Sequence, residues 1–207
     1  VTKVLALDQA TRTGWTVGGA KINLPQWISG HFHAPKRDEE GERLCLIEDS
    51  CLSLIDDHRP DLIVYEEPFD PTWDALEALK KGKEPRSNFN RNTLAFLQRV
   101  KGAVMMAAAR RGIPTESYTP RQWQSILEMP KGPELIPQHI ATDPQALVQY
   151  RQKWRKKLIF DRCRKLGARI ETSDEADSWA MCLYACHGKA GAARAQTDLF
   201  AREVERL

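Results

Sequence analysis

Three stretches of the chain place carboxylates where secondary structure would gather them. "VLALD" (4–8) and "LIVYEE" (62–67) are apolar runs that finish in acid, Asp8 in the first and Glu66–Glu67 in the second. "SDEAD" (173–177) opens a third apolar stretch, and its Asp174 and Asp177 lie three apart, on one face of a helix. Capping accounts for an acid at a helix start, since Ser173 or Asp174 can accept an orphan backbone N–H. It does not account for Asp177, whose neighbours Ala176, Ala180 and Met181 read as a buried face. Carboxylates collected at one sheet edge repel one another unless cations sit among them. Divalent metal meets that need, and two ions ~3.5–4 Å apart support in-line phosphoryl displacement. Oxygen ligands without a Cys/His cluster favour Mg²⁺ or Mn²⁺ over zinc. Each acid alone is an ordinary turn or cap residue; it is their combination that points to metal.

The elements needed to position these acids are legible in the hydrophobic pattern. Residues 2–8 read as a buried strand, and "TGWTVGG" and "WISGHFHA" extend it into a three-stranded antiparallel meander. Leu44, Ile47, Cys51, Leu54 and Ile55 recur at helical spacing within 39–58, and Pro60 ends that helix. Residues 61–67 form a second buried strand, followed by an aperiodic loop over 68–91. A helix over 92–111 and a strand over 113–118 lead to a further helix with Thr119 as cap and Pro120 at its first position. Residues 128–144, with four prolines, read as an inserted loop. A basic helix over 145–166 and an apolar one over 173–187 complete a domain of residues 1–190, with 191–207 as a tail. This order fits an α/β fold. It is compatible with the ribonuclease H-like architecture: a mixed five-stranded sheet, helices on both faces, its first strand between the meander and the fourth strand.

Composition narrows the partners. The 207 residues suit a single domain, and a hydrophobic content of 42% supports a real core. No run approaches the ~20 apolar residues of a membrane span, and no signal peptide is visible. Five scattered cysteines suit reduced thiols in a cytoplasmic protein; Cys182, Cys186 and His187 lack a second pair at zinc spacing. The net charge of +3 conceals two basic segments. Residues 80–111 carry nine Lys/Arg against Glu84 alone, and residues 150–169 nine against Asp161, each a net of +8. Such segments on an otherwise acidic chain point to a polyanion.

"VLALDQATRTGW", "LIVYEEPF", "NTLAFLQRVKGAVMMAAARRGIPTESYTPRQW" and "SDEADSWAMCLYA" together resemble the RuvC family of Holliday-junction resolvases. The resemblance spans most of residues 3–187. It implies a ribonuclease H-like fold, a homodimer, and paired nicking of a four-way DNA junction with Mg²⁺ or Mn²⁺, two ions per site. Carried over by position, Asp8, Glu66, Asp174 and Asp177 are the catalytic, metal-binding acids. Alternation along the strand puts only one of Glu66 and Glu67 on the metal side, and motif position favours Glu66. Phe69 falls where the family carries an aromatic that stacks at the crossover, and Lys80, Lys81, Lys83, Arg86 and Arg91 follow it as DNA contacts. Lys131, Lys156 and Lys157 stand in for DNA-contacting lysines of a segment that is longer and richer in proline here. Gln9 and Ala10 replace the family's usual Pro-Gly, while Thr13 and Gly14 agree with it. The apolar side of the 92–111 helix (Leu94, Leu97, Val104, Met105) is a candidate dimer face or else part of the core.

Three rivals remain at this level. The same fold can act on flaps, forks or RNA-containing duplexes. "ALDQATRTG" loosely resembles the phosphate loop of actin-like ATPases, which need two such domains. A non-catalytic DNA-binding module would have no use for all four acids.

Overall fold

The structure is a computed structural model that describes residues 3–9, 12–35, 39–67, 91–130, 132–133 and 135–204, with Arg91 and residues 189–204 described by backbone alone. Phe69, Lys80, Lys81, Lys83, Arg86 and Lys131 lie outside the described residues.

The sheet is built from β1 (Lys3–Asp8), β2 (Arg12–Gly19), β3 (Ile28–His33), β4 (Leu62–Glu66) and β5 (Thr115–Tyr118), in the spatial order β3-β2-β1-β4-β5. β1 is the central strand, antiparallel to β2 and parallel to β4. It is covered on both faces and therefore reads as an unbroken apolar run. Alternation along it divides the core in two. Leu5 and Leu7 join Ile63 and Tyr65 against α1 (Glu40–His58) and α2 (Arg91–Arg110). Val4, Ala6 and Val64 face the opposite layer. That layer holds the short helix α3 (Pro120–Gln124), the one-turn helix α4 (Gln138–Ala141), the basic helix α5 (Pro144–Lys165) and the long helix α6 (Ser173–Val204). The expected mixed five-stranded sheet with helices on both faces is the fold observed.

α6 lies directly across β2, whose residues on that side are Gly14, Thr16 and Gly18. A Cβ on Gly14 would stand 2.1 Å from the Asp174 carbonyl oxygen, so only glycine permits this approach. Further along, Trp179 of α6 packs on Trp27 with ring centroids 5.4 Å apart. Both indoles are buried, and truncating such a ring typically costs about 3–5 kcal/mol. α6 is interrupted at Gly188, whose φ of 56° suits glycine, and helical backbone resumes from there to Val204.

Two expectations change. Val104 belongs to the core with Val100, Ala103, Ala107 and Ala108, so it cannot share an outer face with Met105. The exposed side of α2 carries Met105 and Met106 instead, because successive helical residues are about 100° apart. The 128–144 segment is not wholly irregular: Gln138–Ala141 form a helical turn ahead of α5, whose N-cap Asp143 accepts the N–H groups of Gln145 and Ala146. No helix among the described residues is long and apolar enough to cross a membrane.

Candidate active site: an acidic groove beside a basic helix

Strand register brings the first two acids together. Asp8 ends β1 directly opposite Gly14 of β2, and the parallel pairing Leu7↔Tyr65 sets Glu66 of β4 beside it. Alternation from Ala6 and Val64 turns both carboxylates toward the α6 side. The second pair arrives with the first turn of α6, whose Asp174 backbone rests on Gly14 while Asp177 follows on the same helical face. All four carboxylates are half-buried and act on one another.

The electrostatics follow from burial and mutual repulsion. Burial first, then the charges of Asp177, Glu66 and Asp174, hold the Asp8 carboxyl well above the ordinary range, and only Lys156 opposes them. Asp177 is pushed up to about 7, chiefly by burial, with Glu66 and Asp174 adding to the shift and Lys156 reducing it. Burial also raises Glu66, against a hydrogen bond from the Trp123 indole N–H to its Oε2 at 3.0 Å. Lys156 of α5 sits at 3.4 Å from Asp174. Burial works against its charge, but Asp174, Asp177 and Asp8 together outweigh that and hold the ammonium protonated.

Geometry separates the adjacent glutamates. Glu67 turns away from the groove and pairs with Lys101 at 2.7 Å. Burial would raise its carboxyl, but the hydrogen bonds from Lys101 and Ser117 outweigh it and pull it below the usual range. Glu66 alone of the two faces Asp8.

A hard divalent cation fits this donor set. The Asp177 Oδ1 is buried with no hydrogen-bond partner, an expensive state for a carboxylate oxygen unless a cation meets it. The donors are all oxygens. Among the described residues no three His, Cys, Asp or Glu side chains already close on one point as a finished metal cage. Cys182 and Cys163 are buried thiols whose burial raises their pKa above the ordinary range, which suits packing rather than ligation.

The two basic segments separate in role. Arg99, Lys101, Arg110 and Arg111 each pair with an acid of the protein itself: Glu40, Glu67, Glu48 and Asp56. That part of the 80–111 run is a set of internal ion pairs. On α5, by contrast, Arg151, Lys153, Arg155, Lys157, Arg164 and Lys165 are exposed, while Arg162 donates to the Leu127 carbonyl. Lys156, read from sequence as a DNA contact, stands among the acids.

Sequence reading missed other residues here. Trp123 donates its indole N–H to Glu66, and nothing in the sequence marked it. The cap of α6 is Thr172, whose Oγ1 accepts the Glu175 N–H at 3.2 Å, so Asp174 is released from that duty. The pattern Thr-x-x-Glu over 172–175 is the signal that marks it.

A central β-strand and its parallel neighbour, each ending in an acid, with an acidic pair on a helix that crosses the sheet, make a ribonuclease H-like fold. In sequence the chain is similar to RuvC. It is 25% identical over 120 residues to the crossover junction endodeoxyribonuclease RuvC of Rhizobium etli, covering 57% of this chain and 61% of that one. It is 28% identical over 123 residues to that of Frankia casuarinae, covering 58% and 62%. The chain thus spans about three-fifths of the length of these relatives. In fold it is similar to Thermus thermophilus RuvC in complex with a Holliday junction substrate, with a TM-score of 0.58 and 17% identity over 92% of this chain and 99% of that one. A second Thermus thermophilus RuvC structure gives a TM-score of 0.55 at 18% identity, over 92% and 97%. No family model matches the chain. The resemblance carried by the four motifs is borne out in both sequence and fold.

Proposed function

We propose that the chain is a divalent-metal-dependent endonuclease that resolves four-way DNA junctions by paired nicks. The observation that carries this is the approach of Glu66, Asp174 and Asp177 to Asp8, whose carboxyl their charges help to raise, with a buried Asp177 oxygen left unpaired. These four carboxylates would hold Mg²⁺ or Mn²⁺, two ions per site. Bound there, such an ion would supply an activated water and charge neutralisation at the scissile phosphate. The protein's own contribution is positional. Asp8 is fixed by the central strand, Glu66 is held by the Trp123 indole, and Asp174 and Asp177 are presented on one helical face. Lys156 lowers the net charge of the groove, which eases the approach of a polyanion.

The exposed basic face of α5 begins next to this groove and suits the phosphates of a DNA arm, giving shape-driven, salt-sensitive affinity. Lys157 belongs to that face. Phe69, three residues beyond Glu66 in sequence, is assigned to stacking at the crossover, with Lys80, Lys81, Lys83, Arg86, Arg91 and Lys131 as further phosphate contacts. Two opposed nicks need two sites related by a two-fold axis, hence a homodimer. The nuclease unit is residues 1–190, and the cytoplasm is its compartment, where the cysteines remain thiols.

Cleavage rates on a four-way junction, a fork and a flap of matched sequence, with Mg²⁺ or Mn²⁺, test this reading. Junction resolution should lead by a wide margin; equal or faster cutting of the flap would reassign the substrate while leaving the chemistry in place.

A further inference from the structure

Between the two proposed metal-binding residues of α6 stands a third acid, Glu175, and it serves neither the groove nor the solvent. Its side chain is buried, only 4% exposed, where an unpaired charge would be costly. Both carboxylate oxygens are taken. Oε1 lies 2.7 Å from Nδ1 of His31 on β3, and Oε2 accepts the Glu171 N–H at 2.7 Å. A carboxylate oxygen accepts, so this bond forms when His31 Nδ1 carries the ring hydrogen.

Helix capping accounts for half of this. Thr172 and Glu175 form a variant of the capping box, with the glutamate reaching the N–H one residue before the cap. Capping gives no reason for the second bond, which crosses to the edge strand of the sheet. That bond belongs to a row of polar contacts along the same face. His31 is the register partner of Gly14, on which Asp174 rests. Two pairs further along, Ser29 meets Thr16 at 2.9 Å, and Thr16 meets Ser178 of α6 at 3.0 Å. The Ser178 hydroxyl in turn donates to the Glu175 carbonyl at 2.9 Å.

The mechanical consequence comes from the groove. Asp174 and Asp177 stand close enough to Asp8 and Glu66 that like charge opposes the seating of the first turn of α6 on the sheet. Glu175, a fifth acid, would add to that opposition, but its carboxylate is bound to His31 on β3. We infer that Glu175 and His31 form a positioning clamp that anchors the first turn of α6 to β3 and so fixes Asp174 and Asp177 against Asp8 and Glu66 for metal binding. The inference rests on the metal-site reading proposed above. Neither residue touches the groove's oxygens; both act through the placement of the helix.

The test uses the full chain and two readouts: Mn²⁺ uptake without DNA, followed by the electron paramagnetic resonance signal of free Mn²⁺, and junction cleavage. His31→Ala leaves the cap intact and breaks only the link to β3. It should weaken Mn²⁺ binding about tenfold and slow cleavage at subsaturating Mn²⁺ to match, the scale at which residues supporting metal ligands act. Metal-free junction binding should stay unchanged. His31→Asn returns an N–H close to the place of Nδ1–H and should recover most of the loss. Glu175→Gln, able to accept only one of the two donors, should resemble His31→Ala. Because His31 is part-exposed at the sheet edge, its variants carry the test even if Glu175→Gln does not fold. Wild-type Mn²⁺ affinity in His31→Ala, with a change in melting temperature alone, would overturn the clamp and leave the metal site standing. Wild-type protein that takes up no Mn²⁺ would overturn the metal site and the clamp with it.

Discussion

Asp177 sets two demands against each other at the scale of a residue. With its carboxyl pushed up to about 7, its folded-state pKa lies above the unfolded value of ~3.9. The folded chain therefore holds a proton there that the unfolded chain has released, and metal-free stability falls as pH rises through that window. Asp8 and Glu66 are raised in the same direction and add to the fall. Metal-free protein should melt several degrees lower at pH 8 than at pH 5, and saturating Mn²⁺ should remove most of that difference. Asp177→Asn should melt higher than wild type at pH 8 without metal, as read by calorimetry. Trp123→Phe tests the support of Glu66. The indole hydrogen bond favours the ionised carboxylate, so its loss should move the acid limb of the pH–rate profile upward and slow cleavage about tenfold. The four acids were legible in the sequence because each closes or opens an apolar run. Trp123 and Lys156 were less so, since what they do is set by partners 57 and 18 residues away, whereas the Thr172–Glu175 cap carries its own local signal.

At the scale of elements, the site depends on how closely α6 approaches β2. Gly14, Thr16 and Gly18 alternate with Trp15 and Val17, so one face of β2 is small enough for a helix and the other is core. Gly14→Ala places a Cβ where the Asp174 carbonyl stands, and the helix start must move. Overpacking of this kind costs about 1–3 kcal/mol. Cleavage should fall far more than stability does, because the displaced turn carries two of the four acids; rates measured well below the melting temperature separate the two effects. The sheet and most helices were readable from periodicity and from acids at strand ends. The outward side of α2 was not, since Leu94, Leu97, Val104 and Met105 look alike in sequence and only packing on β1 and β4 assigns Val104 to the core. The basic residues at 99–111 were misleading for a similar reason. Their acidic partners come from α1 and from the end of β4, too distant in the chain to pair by eye.

For the whole molecule, the charge layout is an acidic groove with a basic helix at its edge. Arg155→Ala, Lys157→Ala and Arg164→Ala combined should weaken junction binding in a salt-dependent way. The slope of log affinity against log salt should become shallower by roughly one for each phosphate no longer neutralised, while Mn²⁺ uptake stays unchanged. A slope equal to that of wild type would move the DNA path off α5. The central claim is that the four carboxylates hold the metal that cuts a junction. Its most direct test is to map nicks on a synthetic mobile four-way junction with Mn²⁺, using wild type beside Asp177→Asn. The account predicts symmetric nicks on two opposing strands by wild type, and none by Asp177→Asn, which should still retard the junction in a gel. Cleavage by Asp177→Asn at the wild-type rate would contradict it.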